Sequence, residues 1–167
     1  MFEYFYHEIL RNTVVAFGSL FNNISIKHKN NSGNVTSVIK VPLAYGPTQK
    51  FLARLQQSPD LNKPVQITLP RIEYGLTSMV YDADRKMNSA NMLMGCAAAG
   101  DMYVNSPIPY NFNFELVLYT RNIEDANQIM EYILPFFTPD YTLKVNLIPE
   151  LGIIKEIPII LKSTDFN

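Results

Sequence analysis

At 167 residues the chain is long enough to bury one good core, and 47% hydrophobic against 17% charged residues marks it as globular with a sparsely charged surface. A formal net charge of −1 argues against a nucleic-acid-binding domain, which ordinarily carries a clear excess of Lys and Arg. Cys96 is the only cysteine, so no intramolecular disulfide is expected and a reducing cytoplasm is the natural setting.

The opening Met1-Phe-Glu-Tyr-Phe-Tyr has no basic region followed by an apolar core, so it does not read as a signal peptide. No apolar run approaches the ~20 residues of a membrane span. Phe2, Phe5, Tyr6, Ile9, Val14 and Phe17 fall near helical spacing and predict an amphipathic helix over about 3–17, with Gly18 loosening or ending it. Its start is aromatic on more than one face. Either Phe2, Tyr4, Phe5 and Tyr6 all pack on the sheet, or some of them, such as Phe2, Tyr4 and Tyr6, meet a neighbouring chain, where aromatics are enriched.

Ile24, Ile26 and His28 alternate with polar residues, and so do Val35, Ser37, Ile39, Val41, Leu43 and Tyr45. The Asn- and Gly-rich stretch 30–34 between them predicts a β-hairpin, with Pro42 at an edge or bulge. Gly46-Pro47-Thr48 opens a short helix that buries Phe51, Leu52 and Leu55, and residues 56–64 read as a loop. A long strand follows. Ile67 and Leu69 share one parity, Ile72, Tyr74, Leu76 and Val80 the other, so a bulge is expected at Pro70-Arg71.

Residues 82–106 carry Met87, Met92, Met94 and Met102, a small-residue run from Gly95 to Gly100, and little periodicity. A connection this long in a compact domain is usually functional or disordered. It reads either as a flexible excursion, in the form of a long hairpin or a loop with methionines that can repack on a partner, or as a mobile loop whose apolar residues fold back onto the domain. From Ile108 to Leu118 even-numbered apolar residues alternate with mostly polar ones, which predicts a strand with its even face buried. Asn122 then caps a helix with Glu124 and Asp125 in its first turn and Ile123, Ala126, Ile129, Met130 and Ile133 at helical spacing, stopped by Pro135. A last pair of strands, antiparallel if adjacent, is expected around Tyr141–Leu147 and Ile157–Leu161. The class is α/β or, more closely, α+β: one domain over 1–167, a mostly antiparallel twisted sheet with helices packed on it.

The sequence offers little chemistry. His7 and His28 lie far apart, no Cys/His pair or HExxH spacing offers a metal site, and Gly95 to Gly100 lacks the Lys and Ser or Thr of a phosphate cradle. No catalytic, cofactor-binding or metal residue is assigned. Asp82, Asp84, Arg85 and Lys86 are the densest charge cluster. They form either a solvated turn after a strand or ion pairs across a subunit boundary.

Several motifs run in order along nearly the whole chain. They are Met1-Phe-x-Tyr-Phe-Tyr, Leu20-Phe21-x-x-Ile24-x-Ile26-Lys27, Val41-Pro-Leu-Ala-Tyr-Gly46, Lys50-Phe51 and Leu69-Pro-Arg-Ile72, then Tyr81-Asp82 with Arg85-Lys86-x-Asn88, Ile133-Leu-Pro-Phe-Phe-Thr-Pro139 and Ile157-Pro-Ile. Together they resemble the tail sheath stabiliser and completion (tail terminator) proteins of T4-like contractile-tailed phages, in the form found in phages of cyanobacteria. The resemblance implies a virion structural protein, not an enzyme, without cofactor. It implies a hexameric ring at the tail–neck junction, assembled in the host cytoplasm. Its partners would be the tail tube protein, the tail sheath protein and the neck or head completion proteins, with neither nucleic acid nor membrane. Members of the family continue past the position equivalent to Asp165 with another strand-rich segment, whereas this sequence stops at Asn167. Subunit or partner contacts are expected at Phe2, Tyr4, Tyr6, Arg85, Lys86, Met87, Asn88, Met92 and Met94. A monomeric adaptor and an α/β enzyme with an unrecognised site are the alternatives; a large assembly separates the first reading from the adaptor.

Overall fold

The computed structural model describes residues 6, 8–46, 53, 69–88, 90–97, 100–106, 108–148 and 153–165. These form helices α1 (Ile9–Ser19) and α2 (Ile123–Ile133) and strands β1 (Ser25–Lys29), β2 (Val35–Lys40), β3 (Leu43–Tyr45), β4 (Arg71–Tyr81), β5 (Met92–Ala97), β6 (Gly100–Asn105), β7 (Tyr110–Tyr119), β8 (Asp140–Ile148) and β9 (Ile153–Ile160). The sheets are β1–β2, β3–β4–β7, β5–β6 and β8–β9. The three two-stranded pairs are antiparallel, and β3 runs parallel to β4. The class is the expected α+β, divided among several small sheets. The chain clusters into two compact units, one of residues 1–17, 79–112 and 136–167, the other of residues 18–78 and 113–135.

The second unit holds Phe21, Ile24, Ile26, Val41, Ile72, Tyr74 and Ile129, all buried. Its hairpin turns at Gly33, whose φ of +80° suits glycine, and the Asn30 N–H donates to the Asn34 carbonyl at 2.8 Å. The strand predicted to run from Val35 to Tyr45 breaks in two. Pro42 has no N–H to give, β2 ends at Lys40, and the chain crosses to a new neighbour. The Pro42 carbonyl accepts from Ile72 N–H at 3.0 Å, and β3 then pairs Leu43 with Ile72 and Tyr45 with Tyr74, whose rings meet edge-on at 5.3 Å. The short helix and loop expected over 46–64 lie outside the described residues, apart from Gly46 and a helical, exposed Ala53.

β4 starts at Arg71, directly after a bend at Leu69–Pro70, so the expected bulge is a strand end; Ile67 lies outside the described residues. Ile72 and Tyr74 are buried on one face and Glu73 on the other. Arg71 Nε stands 3.1 Å from Glu73 Oε1, as a charge contact. Burial pushes the Tyr119 hydroxyl up in pKa, helped by the negative charges of Glu73 and Glu115 and opposed by Arg71. Burial also raises Tyr74, with a further push from Tyr45.

Two expectations about apolar faces are corrected. The even face of β7 is not buried: Phe112, Phe114, Leu116 and Leu118 are half-buried and Tyr110 is exposed, and Ile108 ahead of the strand is exposed too. Among the described residues its sheet has only β4 and β3 beside it, too little cover for a fully dry face. On α2, Ile129 is fully buried but Ile123 is 81% exposed. Six residues separate the two, which at 3.6 per turn places them about 120° apart around the helix.

Asn122 holds an N-cap backbone conformation without a side-chain cap bond. Glu124 and Asp125 lie in the first turn as expected, and Asp125 is in addition buried and joined to His28 Nε2 at 2.9 Å. Gln128 Oε1 accepts the Lys27 N–H at 3.2 Å, so α2 is tied to β1 at two successive residues. After Ile133 a 3-10 turn, Leu134–Phe136, takes in Pro135.

In the first unit, α1 begins at Ile9 and not at Glu3. Glu8 has φ 53°, outside the helical region, so the helix cannot extend back through it. Its carbonyl accepts from Asn12 N–H at 2.8 Å and closes the first turn. Residues 3–5 and 7 of the predicted helix lie outside the described residues. The last two strands form the expected antiparallel pair, from Asp140 opposite Ile160 to Ile148 opposite Ile153, with Lys144 and Glu156 paired across it at 3.1 Å. Among its described side chains Val145 is buried.

Candidate subunit interface

The ends of β4 and β7 and the turn after β4 belong to the first unit. Successive strand residues point to opposite faces, and Met79, Val80 and Tyr81 are all exposed. Neither face of the ribbon is therefore covered there. Ile108 and Tyr110 on the neighbouring segment are exposed as well, and the Tyr81 and Tyr110 rings meet edge-on at 5.7 Å. Large apolar side chains exposed in a group mark surfaces that bind something.

Asp82 organises the turn that follows. Its N–H donates to the Pro109 carbonyl at 3.1 Å, while its Oδ1 accepts from the backbone N–H of Asp84 at 3.1 Å and of Arg85 at 3.3 Å. Arg85 Nε donates to Asp82 Oδ2 at 2.6 Å, Arg85 Nη2 donates to Asn111 Oδ1, and Asn111 Nδ2 returns a bond to Asp82 Oδ2 at 3.1 Å. The Arg85 hydrogen bond above all, with Asn111, the turn's backbone and the Arg85 charge, holds the Asp82 carboxyl below the usual carboxylate range against the opposing effect of desolvation. The cluster is thus a turn closed by its own ion pair. The Arg85 guanidinium is already engaged within the chain, although more than half of its side chain faces solvent.

Beyond the turn, Lys86, Met87, Asn88 and Met92 are exposed. Asn88 Oδ1 accepts from Ala90 N–H at 3.1 Å and its carbonyl from Asn91 N–H at 3.0 Å, a second turn that leads into β5. β5 and β6 form a hairpin that pairs Met92 with Asn105 and Met94 with Tyr103 in register. Of the remaining expected contact residues, Tyr6 is exposed, while Phe2 and Tyr4 lie outside the described residues. The structure therefore groups Arg85 to Met92 around one turn and strand start. It adds Met79, Val80 and Tyr81, together with Ile108 and Tyr110, which the alternation from Ile108 to Leu118 predicts on a buried face. Among the described residues no group of three or more His, Cys, Asp or Glu could hold a metal ion, and no helix is long and apolar enough to cross a membrane.

Comparison with known proteins places this surface in context. Tail completion protein gp15 of Enterobacteria phage T4 is 32% identical over 171 residues, an overlap that takes in 98% of this chain and 62% of that protein. The chain thus spans a little under two thirds of that relative's length. The family described as T4-like virus Myoviridae tail sheath stabiliser matches residues 4–167. With all but the first few residues matched, the chain belongs to the tail sheath stabiliser family of T4-like viruses.

Proposed function

We propose that the chain is a structural component of a contractile phage tail, without catalytic activity. In this reading copies of it close a hexameric ring at the head-proximal end of the tail. The ring ends polymerisation of tube and sheath, stabilises the last sheath ring, and offers the surface on which the neck or head docks. Membership of a sheath stabiliser family and similarity to a tail completion protein support the tail role. The whole chain, 1–167, acts as one terminator-like domain with residues 82–106 as its excursion. Virion tail and, during assembly, host cytoplasm are its locations.

The observation that carries subunit contact is the apolar group uncovered on both faces of a ribbon: Met79, Val80 and Tyr81, with Met87, Met92, Ile108 and Tyr110 exposed in the same unit. A ring needs heterologous contacts that close, and such a group supplies the buried centre of one. Arg85 is a poor probe of this contact, because reversing its charge sets it against Asp82 and opens the turn. Lys86→Glu, Met87→Asp and Met92→Asp are better, since all three positions are exposed. The triple variant is expected to keep a wild-type melting temperature and to lose assembly in sedimentation velocity. Unchanged assembly would remove these residues from the contact. A wild-type protein that stays monomeric and binds one tail component as a monomer would favour the adaptor reading.

A further inference from the structure

Charge is segregated along this chain. Apart from Glu3, Glu8 and Asp60, every acidic residue lies at or after Glu73, while Arg11, Lys27, Lys29, Lys40, Lys50, Arg54, Lys63 and Arg71 all precede it. Within the second unit the fold turns that segregation into two faces. On the β1–β2 hairpin, Ile26 is buried and His28 reaches Asp125, so these define the side that meets α2. Alternation sends Ser25, Lys27 and Lys29 to the other side. Lys40 and Val38, opposite Ser25 and Lys27, share that side, and a register shift after His28 sets Val35, rather than Thr36, opposite Lys29. The outer face is therefore two exposed valines, Val38 at 60% exposure, set among three exposed lysines with no carboxylate between them.

The helix carries the complement. Asp125 and Ile129 point to β1, while Ile123, Glu124, Asn127 and Glu131 are exposed and fall on one arc about 100° wide. Ile123 is the apolar edge of that arc, and Glu131 and Glu124 lie together on its far side, about 80° and 100° round from Ile123 and past Asn127. Among the described residues no ion pair engages Lys27, Lys29, Lys40, Glu124 or Glu131.

We infer that the outer face of the β1–β2 hairpin of one copy docks on the exposed arc of α2 of the next copy. Val35 and Val38 would meet Ile123, and Lys27, Lys29 and Lys40 would face Glu124 and Glu131. The two faces are different surfaces of the same unit, so the contact is heterologous and repeats head to tail, as a closed ring requires. Complementary charge sets register and rejects like-charged approach. The near-neutral chain supplies both signs itself, which favours a second copy over a nucleic acid. The inference rests on the ring reading and gives it a specific surface pair.

Charge reversal separates the two. In the hairpin variant (Lys27→Glu, Lys29→Glu, Lys40→Glu) and the helix variant (Glu124→Lys, Glu131→Lys), each protein alone presents like charges at every contact and is expected to assemble roughly a hundredfold more weakly than wild type. An equimolar mixture restores opposite charges at every contact and is expected to recover assembly, with the two variants alternating in native mass spectra. Recovery on mixing also shows that both variants are folded. Either variant assembling alone like the wild type would overturn this surface pair and leave the ring reading standing, as would a mixture of folded variants that stays dissociated. A wild type that never assembles would overturn both.

Discussion

Gly18 sits in the last turn of α1 because the Tyr74 side chain leaves room for nothing larger. A Cβ built there would lie 2.1 Å from the Tyr74 hydroxyl oxygen and 2.5 Å from Cζ. Gly18→Ala should therefore destabilise by about 1–3 kcal/mol, as overpacking does, in spite of the better helix propensity of alanine. Urea unfolding checks it. Removing the nearest atom with Tyr74→Phe in the same background should recover part of the loss, whereas an alanine variant as stable as the parent would mean that this packing is loose. At the same scale the Asp82 turn is an instance of a residue chosen for backbone chemistry: its carboxylate accepts two backbone N–H groups and an arginine at once.

At the scale of elements, α2 is fixed to β1 by burial of Ile26 and Ile129 and by the His28–Asp125 bond. Asp125→Ala takes away a buried acceptor and leaves the imidazole edge unmatched. It is expected to lower stability by about 1–3 kcal/mol in chemical denaturation. Little change would mean that the apolar contact alone holds the helix. The helix, the hairpin, β7 and the β8–β9 pair were all legible from periodicity, because that signal is local. What was not legible depends on distant neighbours. Nothing near Asp125 in sequence announces a histidine 97 residues away. Nothing around Ile108–Leu118 says that too few strands will lie beside it to bury its even face. The break at Pro42 had a signal, the missing N–H, but the sequence did not say which strand the chain would cross to. The start of α1 failed for another reason: an apolar rhythm continued upstream of Glu8, and the backbone there turned away from the helical region. In the candidate interface, the Asp82–Arg85 spacing of three residues could have been read as an internal pair. Asn111, which completes the network, could not.

For the whole molecule, sparse charge, exposed apolar side chains on a two-faced ribbon and charge segregated between the faces of one unit are what the proposed ring of copies would use. Family membership places such a chain in a phage tail, and ring closure is what would let it end a polymer rather than extend one. The mass of the purified protein in solution, followed by light scattering across a wide concentration range, tests this most directly. A hexamer, or a monomer that passes to a hexamer as concentration rises, is the expected result. A strict dimer at every concentration would contradict it, because a two-fold contact pairs each surface with itself and leaves no head-to-tail ring to close.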